Sequence, residues 1–252
     1  MLQKVSYDER QHAQYRRGRQ LSSARLARWI EVFASYAPPN RPLAVLDLGS
    51  GIGRFTPALA DAFGGPVHGV EPAQKMRAVA EATASHPNVT YCEGRAEANP
   101  LAAASVGLVL MYLSFHHVQD REAAAAELAR VLRPGARVLL RSTFSDRMPD
   151  LEWTRYFPRA REIEMQMFPS SDEVIRLFAN AGLSQIALVA VEEQLAGSLS
   201  EYAERLRLRA FSTFEHMSEV EIAEGLARLD AAIAEENQPR PVICASDLLV
   251  LG

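Results

Sequence analysis

The sequence predicts an α/β fold: a mostly parallel seven-stranded sheet with helices on both faces, a helical cap at the N-terminus and a helical insertion before the last strand. Three observations carry that expectation. Apolar runs of strand length alternate with segments of helical period between residues 43 and 143. Proline and glycine punctuate the series, at Pro38-Pro39, Pro42 and Pro134-Gly135. The first apolar run, Val45-Leu46-Asp47-Leu48, contains an acid near its end, and Gly49, Gly51 and Gly53 follow at every second position. A strand, a glycine-rich turn and a helix in that order bind nucleotide-like cofactors at the carboxyl edge of a parallel sheet.

Taken in order, residues 6–36 begin polar and become helical, with Leu21, Leu26, Trp29, Ile30 and Phe33 on one face, and the prolines from 38 to 42 close the segment. We read residues 1–40 as a cap and 41–252 as the main domain. Strands are expected at 43–48, 67–71, 89–92, 107–112 and 137–143, with helices at 55–63, 73–84 and 121–132 between them. Pro134-Gly135 reads as the turn separating the last of these helices from its strand. Residues 145–169 hold many aromatic and methionine residues and three prolines without a clean period, as an active-site lid does. Ser170-Ser171-Asp172-Glu173 resembles a capping box and opens a helix ending near Gly182. A strand at 184–192 follows, then helical stretches at 198–211 and 217–236 within an insertion spanning 195–240, then a strand at 242–250.

Composition narrows the function classes. Of 252 residues, 48% are hydrophobic and 23% charged, ample for a sizeable core. A net charge of −4 argues against a protein occupied with nucleic-acid phosphates, and no nucleic-acid partner is expected. Cys92 and Cys244 stand far apart in strand-like contexts, without metal or redox spacing, so no metal is expected and a reduced, cytoplasmic setting is. The N-terminus lacks the apolar core of a signal peptide, and no apolar run approaches the roughly 18 residues of a membrane span.

The glycine run itself discriminates between cofactors. A dinucleotide fingerprint wants a third, small residue three positions after the second glycine, and Arg54 occupies it. Asp47 would repel a pyrophosphate, whereas it would attract an amino group or a sulfonium. A nicotinamide-dependent oxidoreductase is therefore the disfavoured alternative.

With these residues in view, the chain resembles the class I S-adenosylmethionine (SAM)-dependent methyltransferases, in particular their small-molecule branch, the methyltransferase-11 or UbiE-like group. The ordered resemblance covers about residues 43–145. Val45–Phe55 resembles the first motif, His68-Gly69-Val70-Glu71-Pro72 the second and Gly94–Pro100 the third. Val106–Asp120 resembles the fourth, and Glu127–Gly135 the helix and turn before the fifth strand. One departure is Gly107, where the family commonly has an acid.

The resemblance implies a Rossmann-like fold, SAM as cofactor, S-adenosylhomocysteine (SAH) as product and a small-molecule acceptor as partner. It places Asp47, Gly49, Ser50, Gly51 and Gly53 around the methionine portion, with Glu71 and Pro72 at the ribose. Glu71 stands 20 residues beyond Gly51, though an acid there also suits a helix N-terminus. Met76 would pack on adenine or simply serve the core, and Ala96 and Glu97 would read the adenine edge, or Glu97 would be a solvated loop acid. Met111, Tyr112 and Ser114 would wall the sulfonium. Tyr15 and Arg19, with Tyr7, resemble a cap that closes over the cofactor carboxylate; surface helix charges are the other account.

Methyl transfer is an in-line displacement at a carbon already activated by sulfur, so alignment and exclusion of water matter most. A general base is needed when the acceptor loses a proton, and His116 and His117 are its candidates. The acid that many relatives place at the end of the fifth strand is missing: Arg141-Ser142-Thr143-Phe144 stands there. Trp153, Tyr156, Phe157 and Tyr202 imply an apolar or aromatic acceptor, and core packing explains such residues equally well. A protein that binds SAM without transferring its methyl group is the remaining alternative. Neither the acceptor atom nor the oligomeric state is written in these motifs.

Overall fold

A computed structural model describes residues 21–252, and within them the chain divides into two compact units, one of residues 21–142, 172–189 and 247–252, the other of 143–171 and 190–246. The first unit is the α/β one. Helix α1 (Ser23–Tyr36) is capped by the Ser22 side chain, which accepts from Arg25 N–H, and it buries Trp29, Val32 and Phe33. The strands are β1 (Leu43–Leu48), β2 (Gly64–Val70), β3 (Val89–Cys92), β4 (Val106–Tyr112), β5 (Leu132–Ser142), β6 (Gln185–Ala196) and β7 (Val242–Leu251). Helices α2 (Thr56–Phe63), α3 (Gln74–Thr83) and α4 (Arg121–Val131) link β1 to β2, β2 to β3 and β4 to β5.

The sheet order is β3-β2-β1-β4-β5-β7-β6. The first five strands run parallel, and β7 pairs antiparallel with β5. Every residue of β1 and β4 is buried, as strands covered on both faces require. This is the expected architecture. The parallel register also aligns the carboxyl ends: Leu48 is level with Val70, Val70 with Cys92, and Tyr112 with Arg141. Residues following those strands therefore share one edge.

Two local expectations change. The Pro134-Gly135 turn falls within a strand, because pairing with β4 begins at Leu132. β4 advances from Val106 to Leu108 while β5 advances from Leu132 to Arg137, and the extra residues, including Gly135 in the left-handed region, form an irregularity. The segment 145–169 is largely ordered secondary structure. Two 3₁₀ turns (Ser145–Arg147 and Glu152–Arg155) precede helix α5 (Pro158–Met167), with proline in its first turn, where a missing N–H costs nothing.

The second unit gathers α5 with α7 (Leu199–Arg207) and α8 (Glu219–Glu235), while α6 (Ser171–Asn180) starts at its boundary. Ser218 and Glu221 make a reciprocal capping box for α8. At the start of α6, Asp146 accepts from both the N–H and the hydroxyl of Ser171, each at 2.7 Å.

Candidate functional site

The site grows from the end of β1. Gly49 and Ser50 donate their N–H groups to the Val70 carbonyl, at 2.8 and 3.2 Å, so the turn is fastened to β2 as soon as it leaves β1. Gly49 has φ +75°, and a Cβ on it would fall inside the Ser114 side chain. Ser114 is itself placed by an unusual backbone: Leu113, at φ +55°, turns the chain sharply at the end of β4. The Ser114 hydroxyl then donates to the Leu48 carbonyl at 2.9 Å. The tips of β1, β2 and β4 are thereby tied together.

Two carboxylates flank the turn. Glu71, at the tip of β2, accepts from Gly51 N–H with Oε2 (2.9 Å) and from Ala73 N–H with Oε1 (3.0 Å). These two bonds orient the carboxylate at the sheet edge. Asp47 is buried on β1 and accepts from the Thr56 hydroxyl at 2.7 Å. Burial pushes its pKa from 3.8 to about 6; the Thr56 hydrogen bond and the Arg54 guanidinium pull it down, and Glu71 pushes it up. The fold thus holds a costly, partly compensated negative charge beneath the glycine turn, and a cationic ligand group would relieve that cost.

The remaining candidates sort by position. Met76, buried on α3, brings its methyl group over Gly51. The Ser50 hydroxyl turns inward against Gly69 of β2 and makes no hydrogen bond. Pro72 follows Glu71 at the same sheet edge, and Ala96 is buried in a tight turn closed by Arg95 and Ala98. Glu97 reaches the segment after the paired histidines, accepting with Oε1 from Gln119 and Asp120 N–H at 3.0 and 3.3 Å. His116 and His117 occupy a 3₁₀ turn anchored by buried Phe115, their ring centroids 3.8 Å apart. Met111 and Tyr112 are buried at the end of β4. Tyr7, Tyr15 and Arg19 lie outside the described residues.

Tyr112 belongs to a cluster that the sequence reading did not assemble. Its ring meets Trp29 edge-on at 5.5 Å and Phe55 at 4.4 Å, with the Arg54 and Arg141 guanidinium carbons 5.6 and 5.1 Å from its centroid. Thr56 and Tyr91 were missed as well. Thr56 reads only as an ordinary helix start, and Tyr91 as one more residue of a short strand.

The aromatic candidates of the second unit lie apart in character. Trp153, Phe157 and Tyr202 are buried and Tyr156 is half-buried, in one apolar cluster with Phe214, Leu206 and Leu229. Trp153 stacks on Phe211 at 5.3 Å, and Phe157 meets Phe214 edge-on. The Tyr156 hydroxyl donates to Glu152 at 3.0 Å. Two carboxylates are buried in this unit as well: Glu164 accepts from the Thr213 hydroxyl at 3.1 Å, and Glu193 from the Ser246 hydroxyl at 2.6 Å. Among the described residues no group of three metal-ligating side chains occurs, and no helix is long and apolar enough to cross a membrane.

Comparison with known proteins adds the following. Residues 46–140 match the family model described as "Methyltransferase domain". The ubiquinone/menaquinone biosynthesis C-methyltransferase UbiE of Rubrivivax gelatinosus (strain NBRC 100245 / IL144) is 34% identical over 111 residues, covering 44% of this chain and 43% of its own length. The chain spans about half the length of the curated relatives it matches. A solved structure from Anabaena variabilis ATCC 29413, described as a methyltransferase of an antibiotic biosynthesis pathway, superposes with a TM-score of 0.73 at 23% identity, over 90% of this chain and 97% of that one. A geranyl diphosphate methyltransferase in complex with SAM gives a TM-score of 0.57 at 17% identity, over 90% of this chain and 84% of that one. At these identities the two structures establish the fold.

Proposed function

We propose, from the premise that residues 46–140 are a methyltransferase domain carried on the class I fold, that this chain transfers the methyl group of SAM to a small apolar or aromatic acceptor. The observation that carries the reading is the arrangement of Asp47 and Glu71 about one glycine turn: a buried acid beneath it and an oriented acid beside it. A ligand with a cationic amino-acid end and a ribose matches that pair, and a pyrophosphate does not.

The residue roles follow from chemistry. Asp47 would hold the ammonium group, with Gly49, Ser50, Gly51 and Gly53 letting the backbone approach the methionine portion. Glu71 would accept from ribose hydroxyls beside Pro72, and Met76, Ala96 and Glu97 would bound the adenine. Met111, Tyr112 and Ser114 would wall the sulfonium end, and Tyr15 and Arg19 would close over the carboxylate. When bound, the cofactor supplies a methyl carbon already activated by positive sulfur. The chain then has to align the acceptor and keep water out, and one of His116 and His117 takes the proton when the acceptor must lose one. We assign acceptor recognition to residues 145–169 and 195–240, with Trp153, Tyr156, Phe157 and Tyr202 as its apolar candidates. The quinone-pathway relative supports a hydrophobic acceptor. We place the protein in the cytoplasm, consistent with its two free thiols.

The test is calorimetry with SAH and with NAD, followed by a methyl-transfer screen against phenols, quinols, carboxylic acids and amines. SAH binding and methylation of an apolar acceptor are expected. Binding of NAD without SAH would overturn the reading, and SAH binding with no transfer to any acceptor class would leave a cofactor-binding protein in its place.

A further inference from the structure

Glu71 is held through its backbone as well as through its side chain. Just past the last paired residues of β2 and β3, its N–H donates to the Cys92 carbonyl at 3.1 Å. Its own carbonyl accepts from Arg77 Nη1 at 2.8 Å. Arg77 belongs to α3, and its Nη2 donates to Glu93 Oε2, in the residue that follows β3, at 3.2 Å. One guanidinium thus joins the chain leaving β2 to the chain leaving β3.

This cation stands against local preference. α3 begins at Gln74 after an Ala73 N-cap that supplies no side-chain bond, and its first turn contains no acid. A helix N-terminus favours anions, yet Arg77 closes that turn and reaches back toward it. Its two contacts differ in worth. The Arg77 side chain is 13% exposed, so its bond to the Glu71 carbonyl is shielded; the Glu93 side chain is 77% exposed, and a pair with so exposed a carboxylate contributes little. The contact that counts is the one with Glu71. With its N–H held by Cys92 and its carbonyl by Arg77, the Glu71 backbone fixes where the side chain starts, and Gly51 and Ala73 fix where it ends. A carboxylate displaced by a fraction of an ångström loses the distance and angle that ligand hydroxyls require.

We infer that Arg77 is a positioning residue that acts through Glu71: by holding the backbone carbonyl of that residue, it aims the carboxylate at the ribose hydroxyls of the cofactor. The inference rests on the ribose contact proposed for Glu71. It assigns Arg77 to the ribose part of the affinity, so removing the guanidinium penalises a ligand that has ribose hydroxyls more than one that lacks them. A guanidinium that only fastened α3 to the sheet would make no such distinction.

The experiment compares SAH with its 2′,3′-dideoxy analogue, which lacks both ribose hydroxyls, by direct and competition calorimetry on wild type, Arg77→Met, Arg77→Lys and Glu93→Gln. Arg77→Met keeps the apolar stem and donates nothing; it should bind SAH about tenfold more weakly and the analogue less than about threefold more weakly. Arg77→Lys keeps the charge and a single compact donor group, and should show the same selectivity on a smaller scale, about threefold for SAH with no loss for the analogue. It decides the question if Arg77→Met does not fold. Glu93→Gln should leave SAH affinity within about twofold of wild type. Losses of similar size for the two ligands overturn the inference, because a general defect in the fold weakens both alike. So does an SAH loss below about threefold in a folded Arg77→Met. A loss in Glu93→Gln as large as that in Arg77→Met transfers the role to the ion pair and overturns it too. If the wild type binds SAH and the analogue equally, Glu71 makes no ribose contact and the inference falls while the cofactor assignment stands. A wild type that binds neither ligand sinks the methyltransferase reading itself.

Discussion

The backbone N–H of Gly51 donates to Glu71 Oε2 at 2.9 Å, so the turn after β1 and the acid at the tip of β2 form a single hydrogen-bonded unit across 20 residues of sequence. Glu71 therefore holds the turn in shape, beside the ribose contact proposed for it. Replacing it with alanine removes both. We predict that Glu71→Ala weakens SAH binding at least about a hundredfold, the equivalent of two hydrogen bonds to a charged group at about 1.5 kcal/mol each. Glu71→Gln, which keeps an acceptor for Gly51, should lose less. Calorimetry separates the two; equal losses would mean that shape plays no part.

Asp47 gives a pH signature. Its folded-state pKa, about 6, lies above the ordinary 3.8, so the native protein takes up this proton before the unfolded chain does. The stability linked to it is fully present below about pH 4 and is lost as pH rises through about 6. Asp47→Asn removes that loss. It should be more stable than wild type by on the order of 3 kcal/mol at neutral pH, with the gap closing toward pH 4. Urea unfolding of both proteins across that window checks it. The same substitution should weaken SAH binding, exchanging function for stability.

At Gly49 the backbone is left-handed and Ser114 occupies the place of a side chain. Gly49→Ala should cost at least about 2 kcal/mol in denaturant unfolding, about half of it from the backbone conformation. Trimming the obstacle in Gly49→Ala/Ser114→Gly should recover the steric part only. Full recovery would show that the positive φ carries no cost here.

For the paired histidines the expectation concerns rate. If one is the base, His116→Ala or His117→Ala lowers kcat by about 10²-fold or more toward acceptors that must lose a proton, with SAH affinity unchanged. Two unaffected variants would assign the pair to structure.

Trp153 lies at the centre of the second unit's aromatic cluster. Trp153→Ala should destabilise that unit by about 3–5 kcal/mol. Limited proteolysis should then cut first within 143–171 and 190–246. Retained stability with altered acceptor preference would instead make the tryptophan a pocket wall.

How far the chain could be read follows from the range of the interactions involved. The alternation of apolar runs and helical periods is local, so β1 to β5 and their helices are legible within a few residues. Helix α5 was hidden because Pro158 looks like a breaker when it is a helix start, and because Arg161, Glu162, Glu164 and Gln166 dilute its apolar face. The aromatics from Trp153 to Phe214 posed a deeper ambiguity. A core and an apolar pocket draw on the same residue types, and only packing shows that Trp153, Phe157 and Tyr202 are buried against one another.

By itself the sequence determined the fold and the chemistry of the turn: an acid in the strand, three glycines, and a second acid at the next strand tip. Those are fixed by local periodicity and spacing, and the backbone must obey both wherever the rest of the chain goes. Tertiary structure alone decided what the acids do. Gly51 meets Glu71 across 20 residues, and Asp47 of β1 meets Thr56 of α2. A carboxyl's charge depends on what surrounds it in space, and the order of residues along a chain does not contain those distances until the chain has folded.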